Sequence, residues 1–262
     1  MRMIWDEERV LQPTWDYMLD KYGDVLASQA FQVVMPVSVY FLFCLPFTVL
    51  DLLHVKKFKI QKDKDVTNED MIKVLKLTLW HHFLYILPVS ILSILFAPPL
   101  PLPKIAPPLF FSLIQLIICL ILFDFLYFSW HYLFHKVKPF FNVVHSIHHQ
   151  YYTPFSFVTQ YVHPIELFFT GFFSLVTPII LQCHPLVTWV WTILSIYVSV
   201  DAHCGYDFPF SLHRWVPFYG GALTHDMHHQ RPTSNYEPFF TYLDQLLGTA
   251  HDPRVYQKKK DC

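Results

Sequence analysis

Three histidine clusters, His131-Tyr-Leu-Phe-His135, His145-Ser-Ile-His148-His149 and His225-Asp-Met-His228-His229, set eight imidazoles at helical spacings in an otherwise strongly apolar chain. Residues three and four apart share one face of a helix, so each cluster presents two ring nitrogens together, and H-x-x-H-H sets a third beside them. Histidines gathered where a chain meets lipid headgroups would account for their abundance but not for the repeated spacing. Eight donors exceed what one four- to six-coordinate ion uses, so two metals are the economical reading. Imidazole suits zinc, copper, iron and nickel alike. No glutamate occupies the second position of an H-E-x-x-H motif, which disfavours zinc peptidase chemistry. The apolar setting tilts the choice to iron acting on oxygen and an apolar substrate.

Other residues fall into place around these clusters. His203 and His163 lie next to the ends of an apolar hairpin, near the clusters, and are candidates for additional ligation. A ligating imidazole usually donates its other N–H to a carboxylate or carbonyl, and Asp124, Asp226 and Glu166 are the candidates for that outer role. Asp124 sits seven residues before His131, within an apolar run where an ionisable group is costly. His213 is a candidate for a phosphate headgroup or the protein's own backbone. His81 and His82 belong inside a span, His184 at a tight turn, and His54 and His251 in solvent. No acid, base or nucleophile is expected beyond the metal ligands. Phe155, Phe157, Tyr161, Phe208, Phe210, Trp215, Phe218 and Tyr219 flank the clusters and are candidates to wall an apolar slot.

The elements that must bring these residues together are membrane helices. The 262 residues are 53% hydrophobic and only 15% charged, against about 25% charged in a soluble domain. The net charge of −1 says nothing about nucleic acid and no basic stripe suggests it, so no nucleic-acid partner is expected; five scattered cysteines form neither a disulfide framework nor a zinc knuckle. The acidic residues of 1–30 do not resemble a cleaved signal peptide. The expected fold is all-α, a single polytopic bundle over 1–262. Its N-terminal segment is 1–30 and its three spans lie within 31–130, at about 31–53, 74–97 and 107–130. A first histidine region follows over 131–163, then a helical hairpin over 164–202 and a histidine region with tail over 203–262. Prolines make 98–108 a stiff connector. Seven lysines within 54–76, against Lys104 alone in 98–108, place 54–76 in the cytoplasm, and all three clusters with it. The terminal Lys258-Lys259-Lys260-Asp261-Cys262 fits either a dilysine retrieval signal of the endoplasmic reticulum or a solvated charge run.

With the clusters in place, the chain resembles the fatty-acid hydroxylase and sterol desaturase superfamily of integral-membrane di-iron enzymes. The pattern H-x-x-x-H, H-x-x-H-H, H-x-x-H-H is matched by the three clusters. Asp201-Ala-His203-Cys-Gly-Tyr-Asp-Phe-Pro209 is similar to the sterol-modifying branch, in which the histidine is a further ligand. Leu11-Gln-Pro-Thr-Trp15-Asp16, Phe43-Cys-Leu-Pro-Phe47, Thr159-Gln-Tyr161, His184-Pro-Leu186 and His213-Arg-Trp-Val-Pro-Phe218 look like the branch that hydroxylates the cholesterol side chain. One departure is Thr224, where many relatives carry another histidine. The resemblance implies two iron ions (zinc being a possible substitute in a preparation), O2, and insertion of hydroxyl into a C–H bond of cholesterol or a related sterol, at side-chain carbon 25. It also implies NADPH-derived electrons, delivered by a membrane reductase, cytochrome b5 or both. The absence of a G-x-G-x-x-G fingerprint agrees with an external donor. The rival readings are a sterol C4-methyl oxidase, a sterol desaturase, a fatty-acyl hydroxylase, a metal transporter and a sterol-binding pseudoenzyme. The sequence leaves the oligomeric state open.

Overall fold

The computed structural model describes residues 10–253; the lysine-rich tail at 258–260 lies outside the described residues. Among the described residues there are ten α-helices, several short 3-10 turns and no strand. Four segments are long and apolar enough to cross a membrane: α2 (Gln29–Leu52), a composite of α3 (Asn68–His81) and α4 (Leu87–Phe96), α5 (Leu109–Lys136), and α8 (Pro185–His203). Helix α7 (Pro164–Ile180) is the shorter arm of the hairpin with α8. The chain is thus a polytopic helical membrane bundle, as its apolar runs imply.

Where the helices differ from the apolar runs, local chemistry explains it. Helix α3 begins at Asn68 rather than near residue 74, because Thr67 caps the Asp70 amide at 3.0 Å and makes a polar first turn helical. A π-helical turn, His82–Ile86, interrupts this span just before Pro88. Pro88 has no amide to donate, and the Leu87 amide reaches back to the His82 carbonyl instead. Helix α5 continues through Lys136, beyond the apolar run ending near residue 130, and carries His131 and His135 on that extension.

One end of the bundle is closed by the N-terminal segment. Helix α1 (Gln12–Ala27) buries Trp15, whose indole N–H donates to the Pro103 carbonyl at 2.8 Å. Gln12 accepts from the Ala106 amide and donates to the Lys104 carbonyl. The proline-rich connector, α1 and the hairpin turn therefore pack at one end, with Trp15 edge-on to His184.

The connector 53–67 does corresponding work at the opposite end. Lys59 and Tyr206 form a bridge, and the Ile60 amide donates to Gly205, as does Asp207 to Phe58. Below them Asp51 accepts from Lys59 Nζ at 2.7 Å and from the Tyr206 hydroxyl at 2.9 Å, all three buried. Gly205 turns the chain out of α8 with φ +75°, and a Cβ there would lie 2.7 Å from the Pro154 carbonyl oxygen. Only glycine accepts both conditions. Gly205→Ala is expected to cost about 1–3 kcal/mol from the backbone conformation alone, with a further loss from the clash. Thermal unfolding of the purified chain in detergent checks this, and an unchanged midpoint would contradict it.

Candidate metal centre

Helix α5, α6 (Lys138–Val143), the 3-10 turn His145–Gln150, the last turn of α8 and helix α9 (Gly221–Gln230) converge at the end opposite α1. They gather nine histidines into two groups: His131, His135, His145, His149 and His228 in one, and His148, His203, His225 and His229 in the other. Within each group the donor atoms lie within 4.8 Å of one another. All eight box histidines take part, joined by His203. The split runs across the clusters rather than along them. Each H-x-x-H-H motif sends members to both groups: His148 parts from His145 and His149, and on the α-helix α9, where adjacent residues leave about 100° apart, His228 parts from His225 and His229.

The ring nitrogens turned away from the groups are held by acceptors. His131 Nδ1–H donates to the Tyr236 carbonyl at 2.6 Å, His228 Nδ1–H to the Ser234 carbonyl at 2.7 Å, and His145 Nδ1–H to Glu166 Oε1 at 2.9 Å. In the second group, His203 Nδ1–H donates to the Ser199 carbonyl and His229 Nδ1–H to the Tyr151 carbonyl. A carbonyl oxygen only accepts, so the neutral ring must carry its proton on Nδ1 and present a bare Nε2 lone pair. These Nε2 atoms lie close to one another and to the Nε2 atoms of neighbouring rings. Nε2 of His131 and His145 are 2.9 Å apart, His149 and His145 3.0 Å, and His228 and His149 3.2 Å; across the second group, His203 is 2.9 Å from His225. Burial pushes His145, His149, His225 and His229 well below the usual imidazole range and His228 down to about 4. Protons therefore do not supply the missing positive charge at neutral pH. Clustered, buried, unprotonated nitrogens fit metal cations, one per group.

Of the expected outer partners, Glu166 is in direct contact with His145, and both are fully buried. Asp124 lies on the histidine-bearing helix but spends its carboxylate elsewhere: Oδ1 accepts from the Phe239 and Phe240 amides at 3.0 and 3.2 Å. It fixes the segment whose Tyr236 carbonyl holds His131 and so acts at one remove. Asp226 accepts from Gln61 Nε2 and from Gln230.

The remaining histidines stand apart from both groups. His163 lies outside them and caps α7, its Nδ1 accepting from the Ile165 amide at 3.2 Å. His213 sits 3.4 Å from Asp207. His82 bonds the Thr78 carbonyl, His184 caps α8, and His54 and His251 are exposed.

The flanking aromatics do not form one wall. Phe155 and Tyr161 pack with Val74 of α3, Phe157 meets Tyr40 and Phe41, and Phe208 stacks between Phe47 and Phe210. Tyr219 is buried on Asp201, while Trp215 and Phe218 face outward.

Gln61 is a site residue that spacing did not reveal. Its amide donates to Asp226 on α9 and to the Tyr152 carbonyl at 2.8 Å, while its oxygen accepts from Thr153 at 3.1 Å. One side chain from the 53–67 connector thus ties the helix carrying His225 and His229 to the loop that follows His148 and His149.

The matched family and relatives agree with this geometry. Residues 116–249, which include every histidine of the two groups, match the fatty acid hydroxylase family. Cholesterol 25-hydroxylase-like protein 2 of Danio rerio is 43% identical, the similarity covering 98% of this chain and 95% of that protein. Cholesterol 25-hydroxylase of Homo sapiens is 40% identical over 94% of this chain and 92% of its own length. A cholesterol 25-hydroxylase-like protein of Caenorhabditis elegans is 42% identical over 92% of this chain. No solved structure matches.

Two substitutions separate the groups. Glu166→Ala removes the acceptor of His145, and is expected to weaken metal at the five-histidine group about 10- to 100-fold. Gln61→Ala is expected to loosen the four-histidine group instead. Metal-to-protein ratios measured against a graded chelator would show one ion lost earlier in each variant, and curves identical to the unsubstituted chain would contradict the assignment.

Proposed function

Given that the chain belongs to the fatty acid hydroxylase family, we propose that it is a membrane sterol hydroxylase that converts cholesterol to 25-hydroxycholesterol with O2. The observation that carries this is the pair of buried nitrogen groups, five and four donors strong, with five of the nine rings held at Nδ1 by the surrounding chain. The near full-length similarity to proteins named for cholesterol 25-hydroxylation supports the choice of substrate.

Two iron ions are the metals this function requires, and when bound they would supply oxygen activation and the oxidising power to break an unactivated C–H bond. Zinc has the same taste for imidazole but no redox chemistry, so it would fill the nitrogens without turnover. His131, His135, His145, His149 and His228 would hold one ion, and His148, His203, His225 and His229 the other. Glu166 and the carbonyls of Tyr236, Ser234, Tyr151 and Ser199 hold the rings in register. That leaves the chain two tasks at the reacting carbon, holding it in place and excluding water, because such a bond gives an acid or base nothing to grip. Burial of every ring in the groups except the half-buried His135 serves the second task.

Electrons would reach the site from NADPH through a membrane reductase, cytochrome b5 or both. The lysine-rich 54–76 region argues for the histidine end facing the cytoplasm. With the dilysine-like tail it argues for the membrane of the endoplasmic reticulum.

Membranes from cells expressing the chain, supplied with deuterated cholesterol and 18O2, are expected to yield 25-hydroxycholesterol carrying one 18O atom. A product oxidised only at a C4 methyl, a desaturated sterol or a hydroxylated acyl chain would replace the proposed substrate. Metal accumulation without any oxygenated product would favour transport. His148→Ala and His228→Ala, one ring from each group, are each expected to lower product at least 100-fold while the protein still inserts. Turnover retained in both would overturn the ligand assignment.

A further inference from the structure

Two segments after the last span do not belong to any crossing helix, yet they pack against the spans well below the histidines. Phe239 stacks on Phe123 of α5 with ring centroids 5.2 Å apart, and Asp124 of α5 takes the Phe239 and Phe240 amides. At about 1.5 Å rise per residue, Phe123 lies about 12 Å down the helix from His131. A hydrocarbon core about 30 Å thick needs about 20 residues. Counted from the start of α5 at Leu109, these carry it to about residue 128, so the Phe123–Phe239 contact falls inside it. Segment 208–219 is drawn to the same place. Leu212 and Tyr219 share the apolar cluster of Phe123, Trp191, Val198 and Phe239, and the Gly220 amide donates to the Phe239 carbonyl at 2.8 Å.

The outward surface of these segments is apolar. Trp215 is 74% exposed, Leu246 79%, Phe210 72% and Phe218 58%, with Leu247 beside them. Their backbone is largely closed on itself, as contact with lipid requires. Pro209 and Pro217 have no amide to satisfy. The amides of Ser211, Arg214, Trp215, Val216 and Tyr219 bond within the segment, and the Phe218 carbonyl accepts from Thr241. Arg214, the cation of the segment, is paired with Asp207 by two hydrogen bonds at 2.6–2.7 Å.

We propose that segments 208–219 and 239–248 are sunk in the bilayer leaflet on the histidine side, with Trp215, Phe218, Leu246 and Leu247 against acyl chains. The partner of this surface is the leaflet itself, and it continues the lipid-facing side of α5, where Ile117, Ile121 and Phe125 are also exposed. The described part of the region after α8, residues 204–253, is then not wholly a cap standing in water. The histidine groups lie at the leaflet boundary, within lateral reach of a molecule dissolved there. This holds whatever reaction the groups perform.

Depth-resolved quenching tests it. A small environment-sensitive fluorophore, encoded in place of Trp215 or of Leu246, is followed in nanodiscs whose lipids carry bromine midway along the acyl chain. Fluorophores at Ile117 and at exposed Lys62 mark the lipid and water limits. Quenching at 215 and 246 is expected to be at least half that at 117 and several-fold above that at 62, with emission shifted to the blue. Quenching at both sites equal to that at 62 would overturn the proposal. Because the positions are exposed, the label disturbs no packing, and chelatable metal content reports that each labelled chain remains folded.

Discussion

Nine imidazoles crowd their ring nitrogens into two small buried volumes, an arrangement that a metal cation in each would stabilise. That electrostatic constraint organises one whole end of this protein. Lone pairs about 3 Å apart repel, and in a site shielded from water the repulsion is screened little. What holds the arrangement is the set of acceptors behind the rings: a glutamate and four main-chain carbonyls, each receiving an Nδ1 proton. Every such acceptor fixes a tautomer and an orientation at once. The chain path around the site is therefore part of the site, and the irregular loops between clusters matter as much as the helices bearing them.

The two groups differ in ways that follow from their supports. The five-nitrogen group draws His131 and His135 from a single rigid helix and has a carboxylate, Glu166, behind one ring. The four-nitrogen group is assembled from α8, the His145–Gln150 turn and α9, with the carbonyls of Ser199 and Tyr151 behind two of its rings. A glutamate carboxyl behind a ring supports ligand basicity in a way a main-chain carbonyl does not. The two positions are thus inequivalent in donor number and in the groups that stand behind the rings. Both stand partly on spans, the first on α5 through His131 and His135 and the second on α8 through His203, and Gln61 cross-links the α9 helix that feeds both.

Much of this was legible in the chain, for identifiable reasons. Bilayer thickness dictates the length of an apolar run, so the spans and hairpin could be placed to within a few residues. Helical spacing dictates which rings share a face, so the clusters marked themselves, and His203 was marked by its position at the end of α8. The supports were hidden because they are mostly carbonyls, which every residue type supplies equally. Ser234 and Tyr236 hold two rings without any trace in their side chains. Gln61 sits in a lysine-rich connector with no periodic relation to the residues it joins. Asp124 shows the limit of periodicity: seven residues from His131 gives the helix and the depth, but the carboxylate bonds the Phe239 and Phe240 amides. His163 has the right position, but Pro164 opens a helix directly after it, and its ring nitrogen is taken by the Ile165 amide.

Asp124 also explains why a carboxylate stands inside an apolar helix. Burying it is costly unless it is hydrogen-bonded, and it takes two amides of the chain that returns along α5. Two further buried carboxylates complete the same fold-back. Asp244 accepts the Tyr236 and Glu237 amides at 3.0 and 2.8 Å, while Glu237 accepts the Asp244 amide at 2.8 Å. The Tyr236 peptide is thereby gripped at its nitrogen by Asp244, and the carbonyl of the same residue grips His131 at 2.6 Å. A chain of aimed acceptors runs from the short helix α10 (Tyr242–Leu247) through one residue to a ring nitrogen in the five-histidine group. Each of these carboxyl groups is aimed at main-chain amides, so together they can fix a loop that has little regular structure of its own. An apolar residue would leave two amides unmet at Asp124 or Asp244 and one at Glu237, and the carbonyl behind His131 less firmly aimed. Acidic residues that touch none of the nine histidines are in this sense part of the geometry of both the fold-back and the five-histidine group.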